Sequence, residues 1–178
     1  MKYNPHSIGY GDLGKVPEHL HQIIKHLVDE LVRYFGEDLY SVILYGSIAR
    51  GDWRNDSDID ILIIADNLPR SRLDRQRIFI EIEQYLEDEV KRLWDSGYYH
   101  DFSPILKTPE EAKRFSPLYL DMVEDAVILY DKNNFFRKIL DRLTKILSKL
   151  GAKRVRIGNY WIWDLKPDYT FGEVISIE

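Results

Sequence analysis

Cysteine is absent from this 178-residue sequence, which excludes disulfides and thiolate metal sites and suits a reducing cytoplasm. No apolar stretch approaches the eighteen or so residues a membrane span needs, and no charged-then-apolar leader opens the chain, so a soluble cytoplasmic protein with no membrane partner is expected. An excess of positive charge is missing too. The net charge of −5 argues against indiscriminate nucleic-acid binding while leaving room for a local basic patch. Glutamine and asparagine are sparse beside a charged fraction of 31%, a weak thermophile signal. Repeats and low-complexity segments are lacking. What is present fits one domain with a small appendage, long enough to bury roughly two-thirds of its unfolded surface.

Residues 1–16 are rich in Gly, Pro and polar residues without periodicity and read as an irregular lead-in. From Pro17 to Phe35 apolar residues recur at three- and four-residue steps, predicting a helix with one buried stripe that Gly36 stops. Leu39 to Tyr45 and Ile59 to Ile64 read as strands, joined by a turn-rich link over Arg50 to Ser57. Pro69 to about Trp94 predicts one long charged helix with Leu73, Ile78, Ile82, Tyr85, Leu86, Val90 and Leu93 facing inward. Tyr98 to Leu106 predicts a third strand, which Pro104 puts near a sheet edge. Thr108-Pro109-Glu110-Glu111 and Ser116-Pro117 open helices, Ala126 to Tyr130 makes a fourth strand, and Asn133 or Asn134 caps a helix running to Leu150. The segment from Lys153 reads as extended structure folding back on the body.

The chemistry concentrates between residues 44 and 61. Gly46-Ser47 follows the first apolar strand, and after ten intervening residues Asp58-Ile59-Asp60-Ile61 enters the second. Alternation along a strand sends Asp58 and Asp60 to one side. Two neighbouring carboxylates repel unless a cation lies between them, and magnesium is commonly held by one or two carboxylates plus substrate phosphates. Gly46 and Ser47 offer close backbone approach, N–H groups opening a helix and a hydroxyl, all suited to phosphate. The plain alternatives are an acidic solvent face for the aspartates and an ordinary capped turn for Gly-Ser. Arg50 either grips a phosphate or pairs with Asp52, and Ser57 caps the turn.

The pattern hydrophobic-Gly-Ser, about ten residues, Asp-hydrophobic-Asp-hydrophobic resembles the nucleotidyltransferase superfamily typified by DNA polymerase β, and within it the minimal nucleotidyltransferases. The likeness is specific over roughly Val42 to Ile64, weaker to about residue 131, and undefined beyond. It implies an α/β (α+β) fold with a small mixed sheet of about four or five strands and helices mainly on one face. The expected organisation is a nucleotidyltransferase core over residues 1–132 and a C-terminal helix with an extended tail over 133–178. The implied reaction moves a nucleoside monophosphate from a nucleoside triphosphate, ATP foremost, to a hydroxyl, with two Mg2+ ions, or Mn2+ in their place, and pyrophosphate leaving. Asp58, Asp60 and a third acid would hold metal and act in catalysis, while Gly46, Ser47 and Arg50 would bind nucleotide. Asp101 is the acidic residue in the third strand run and takes that third role here, with Asp164, Asp168 or no acid at all as alternatives. In the other reading the catalytic set has decayed, and the chain is a nucleotide-binding or antitoxin-like module beside a toxin-like protein partner. A homodimer stays open, and the acceptor is unreadable because it is chosen outside the motif.

His19, His21 and His26 share a helix without the spacing of a metal pair and read as solvent-facing. Arg70, Arg72, Arg75 and Arg77 read as a solvated basic face rather than a nucleic-acid patch. Trp53, Trp161 and Trp163 serve base stacking, core packing or a dimer contact equally well.

Overall fold

The computed structural model describes residues 13–158, 160–174 and 176–177; residues 1–12 of the predicted lead-in lie outside them. The first helix, α1, spans Glu18–Phe35 and buries Leu20, Ile23, Ile24, Leu27, Val28 and Leu31. Its neighbour in sequence is β1, Leu39–Tyr45. A five-residue helix, α2 (Gly46–Arg50), opens at the Gly46-Ser47 turn as the sequence suggests, and β2 (Ile59–Ala65) follows the link. Next come α3 (Arg72–Glu83), α4 (Glu87–Asp95), β3 (Phe102–Lys107), α5 (Pro109–Lys113), α6 (Leu118–Asp125), β4 (Val127–Asp131), α7 (Phe135–Leu150), β5 (Lys153–Ile157) and β6 (Tyr160–Asp164).

The central sheet runs β3-β2-β1-β4. It is mixed, since β1 is antiparallel to β2 and β4 while β2 and β3 are parallel. Strands β1 and β2 are apolar without alternation, and Val42, Ile43, Leu44, Ile61, Leu62 and Ile63 are all fully buried. A strand of that kind must be covered on both faces. Accordingly Val42, Leu44, Ile61 and Ile63 pack with α1, α3 and α4, and Ile43, Leu62 and Ile64 pack with α5, α6 and α7. Helices mainly on one face is therefore corrected to helices on both. Each fully buried Leu, Ile or Val contributes roughly 1.5–3 kcal/mol over its exposed state, so these two strands are the rigid base on which the site stands.

The long helix expected from Pro69 is broken, with a single 3-10 turn over Gln84–Leu86 between α3 and α4. The bend brings Leu86 to full burial beside Phe79 and Ile82 while Tyr85 stays 64% exposed. Leu73 also points outward, at 74% exposed, because Arg75 occupies the inward position at the start of α3. Its guanidinium donates to the carbonyls of Pro69 (2.6 Å) and Leu106 (3.0 Å) and forks onto Glu111 at 2.6 and 3.0 Å. Arg75 is thus a buried tie, not part of a solvated basic face. At the far end, α7 begins after Asn134 in a left-handed conformation, but the capping acceptor is Asp131, whose carboxylate takes the N–H groups of Phe136 and Arg137. The tail is a hairpin, β5 antiparallel to β6, held to α6 by Arg154 against Glu124 and Asp125 and by the Trp163 indole against Asp121.

Candidate functional site

Where β1 ends, Gly46 takes φ +76 and turns the chain into α2. The register sets Tyr45 opposite Asp60, which lays the Asp60 carboxylate directly over the Gly46 backbone. A Cβ on Gly46 would collide with Asp60 Oδ2. Glycine is required twice over: the left-handed backbone disfavours a side chain, and the acid occupies the space one would need. Gly51, also left-handed, closes α2, and the Ser47 carbonyl accepts from the N–H groups of Gly51 and Asp52.

Asp58 sits exposed just before β2, and Asp60 lies inside it and is half-buried. Burial pushes the Asp60 carboxyl up from its ordinary value, the Ser103 hydroxyl draws it down by hydrogen bonding, the Asp58 charge raises it and Arg50 lowers it. The two acids therefore feel each other, as strand parity predicts. Among the described residues neither forms an ion pair with Lys or Arg; Arg50 spends its Nε on both oxygens of Asp52 at 2.9 Å. This donor set, two hard oxygens of like charge with one half-desolvated, suits a hard divalent cation. No cluster of three or more His, Cys, Asp or Glu suited to a metal exists among the described residues.

Asp101 is exposed at the edge of this group. Its carbonyl accepts from Ile59 N–H at 2.8 Å, one residue past Asp58, while its charge bears on Glu83 of α3. Glu83 is itself pushed up by burial and then by Asp101 and Glu87. Opposite Asp60 in the parallel register stands Ser103, not an acid. Asp164 ends β6 opposite Lys153, and Asp168 acts on Lys166.

The link that carries Asp58 is pinned by an aromatic and imidazole group the sequence does not reveal. His100 is 1% exposed; its Nδ1 donates to the Ser57 carbonyl at 2.6 Å and its Nε2 meets His19 Nε2 at 3.2 Å. A carbonyl only accepts, so the His100 Nδ1 carries a proton, and its Nε2 shares a second hydrogen bond with His19. Tyr98 stacks on His19 at 3.8 Å and Trp53 meets His19 edge-on at 5.3 Å. Burial lowers the His19 pKa, followed by the charges of His100 and His21. Ser57 also accepts from the Arg54 N–H at 2.8 Å, which is the turn cap expected of it. The solvent-facing reading of the helix histidines is corrected: His21 bonds the Val16 carbonyl at 2.8 Å, and His26 ties the buried Glu30 of α1 to Glu89 of α4. Partners 43 to 81 residues away in sequence leave no local signal, whereas Ser103 could have been found by counting strand parity from Asp101.

Residues 24–130 match the family model described as nucleotidyltransferase domain. "Putative protein adenylyltransferase MJ1305" of Methanocaldococcus jannaschii is 34% identical over 133 residues, covering 74% of this chain and 85% of its own length. "Putative protein adenylyltransferase MJ0141" of the same organism is 34% identical over 64 residues, 36% of this chain and 64% of its own. Two solved structures align at a TM-score of 0.43: a toxin-antitoxin with AMP-PNP, 18% identical over 70% of this chain and 90% of that one, and the toxin-antitoxin MntA-HepT, 15% identical over 74% and 93%.

Proposed function

The chain belongs to the nucleotidyltransferase domain family, and on that premise we propose that it moves adenylate from ATP to a protein hydroxyl. The observation that carries this reading is the seating of Asp60 against the side-chain-free Gly46 backbone, with Asp58 close enough to raise its pKa. Phosphate-binding backbone and metal-binding acid then share one small volume. The protein acceptor is suggested by the names of the two relatives.

Asp58 and Asp60 would hold Mg2+, which supplies charge neutralisation for the triphosphate and the departing pyrophosphate. Gly46 allows close approach of the β and γ phosphates, and the Ser47 hydroxyl donates to them. Arg50, released from the exposed Asp52, adds a forked donor. We propose Asp101, whose carbonyl is bonded beside Asp58, as the third carboxylate. The acceptor oxygen attacks the α-phosphorus, its proton passes to Asp101, the bond from the α-phosphorus to the bridging oxygen breaks, and pyrophosphate leaves. Positioning and charge compensation supply most of such a rate enhancement. In this reading residues 1–132 form the catalytic core and 133–178 an accessory helix and tail, working in the cytoplasm.

The test is transfer of label from α-phosphate-labelled ATP, and not from γ-labelled ATP, into acid-precipitable protein in the presence of Mg2+. Retention of that transfer in Asp58→Asn plus Asp60→Asn would end the proposal. That no third acid clusters with Asp58 and Asp60 among the described residues favours a second reading, a nucleotide-binding or antitoxin-like module for a toxin-like partner. That reading is supported if ATP raises the melting temperature while no label moves.

A further inference from the structure

We propose that the cavity between β1, α5 and α7 binds single-stranded nucleic acid, with one base in the cavity and phosphates along α7. The cavity, about 790 Å³, does not adjoin the aspartate pair. It lies at the opposite end of the sheet, where Tyr40 stands near the start of β1 and Lys132 follows β4. Its size falls within the range of pockets that enclose ring-bearing ligands. Lys113, Arg114, Lys132, Lys138 and Arg142 line it, and no described acidic residue does. Two of these cations have carboxylate partners, Lys113 with Glu110 and Lys132 with Glu37, but those glutamates are 77% and 98% exposed and yield readily to a phosphate. Among the cations stand Tyr40, Phe115 and Phe135, with Tyr40 and Phe135 edge-to-face at 5.1 Å, an aromatic lining of the kind against which bases pack without sequence preference.

The charge continues out of the cavity. An adjoining hollow of about 480 Å³ shares Lys138 and Arg142 and adds Lys145 and Lys149, with Asp141 as its acid. Lys138, Arg142, Lys145 and Lys149 are spaced four, three and four residues apart on one helix, so they form a ridge about 16 Å long at 1.5 Å per residue. A ring-lined hollow that opens onto a row of cations matches a chain of phosphates bearing bases. A mononucleotide would leave the ridge empty, and an acidic peptide of plain carboxylates would leave the hollow empty. The site is independent of the proposed transfer chemistry, since it uses none of the same residues.

The experiment titrates the full chain into labelled single-stranded oligonucleotides, RNA and DNA, and follows anisotropy from about 50 to 200 mM salt. Four neutralised phosphates predict a slope of log affinity against log salt of about −3, and Lys138→Glu plus Arg142→Glu should halve it and weaken binding roughly 25-fold at 0.1 M salt. Both side chains are exposed, so the variant should melt at the parent temperature; Lys145→Glu plus Lys149→Glu provides a second variant on the same ridge. Asp58→Asn plus Asp60→Asn should bind as the parent does. Binding without salt dependence, binding unchanged by both charge reversals, or equal displacement by AMP or polyglutamate would each overturn the proposal.

Discussion

Two sites at opposite ends of the central sheet carry opposite charge and hold it by opposite means. At the end where β1 meets α2, Asp60 is held half-buried in core strand β2 beside the like charge of Asp58, which stands exposed just before that strand. At the other end, Lys113, Lys138 and Arg142 on helices and Arg114 just past α5 stand exposed around an open cavity. Neighbouring acids, one of them half-buried, cost stability that the proposed cation would offset, whereas long cations on a solvated face cost little to keep. A net charge of −5 averages over both ends and describes neither.

The comparison breaks first at the acid end. Replacing Asp58 and Asp60 together by Asn should lower transfer by at least about 10³-fold, the scale of losing a main electrostatic element of a site, while the melting temperature holds or rises because the repulsion is gone. A parallel fall in melting temperature would make the pair structural. Gly46→Ala comes next. The new Cβ displaces the Asp60 carboxylate, which is a movable side-chain end, and the left-handed backbone costs roughly 1–2 kcal/mol. Transfer should therefore fall by about 10²-fold, more than the stability loss alone would suggest; melting curves and rates measured on the same sample separate the two.

The acid end was legible in the sequence because its parts are local. Gly46, Ser47, Asp58 and Asp60 lie within 15 residues, and strand parity alone aligns the aspartates. The capping box at Thr108 and Glu111 and the bounds of β1 and α7 were equally readable, each set by neighbours in sequence. The basic end was missed. Attention to charge runs leads to Arg70 through Arg77, where Arg75 turns out buried and paired, while the cations that converge come from α5, α7 and the residue after β4. Convergence of separate elements is a property of topology, as is the link between His100 and Ser57 across 43 residues.

That link gives a third and smaller effect. His100→Ala removes the donor to the Ser57 carbonyl and the partner of His19, leaving a polar group of the Asp58 link unsatisfied at about 1–2 kcal/mol. Thermal melts should show the loss. Transfer should fall about tenfold, in line with a modest misplacement of a catalytic group, and His100→Gln should recover part of it. An unchanged rate with lowered stability would confine the imidazole group to folding.

The smallest effect sharpens the contrast at the basic end, where Arg75 is the buried cation and its partner is structural. The Arg75 guanidinium holds the Glu111 carboxyl down to about 2 from an ordinary 4.5. A depressed carboxylate contributes its full stabilisation above the unfolded value and loses it as pH falls toward the folded one, so the window runs from about 4.5 down to about 2. Glu111 is 40% exposed, and screening reduces the contribution to about 1 kcal/mol. Glu111→Gln isolates the charge, because Gln preserves the capping box in which this side chain accepts the Thr108 N–H at 2.9 Å. Above pH 5 the variant should melt below the parent by a constant margin, and that margin should close as the pH is lowered through the window. Nucleic-acid affinity at the neighbouring cavity should stay at the parent value throughout, since the Arg75 charge is already satisfied by Leu106, Pro69 and Glu111 rather than offered to a ligand.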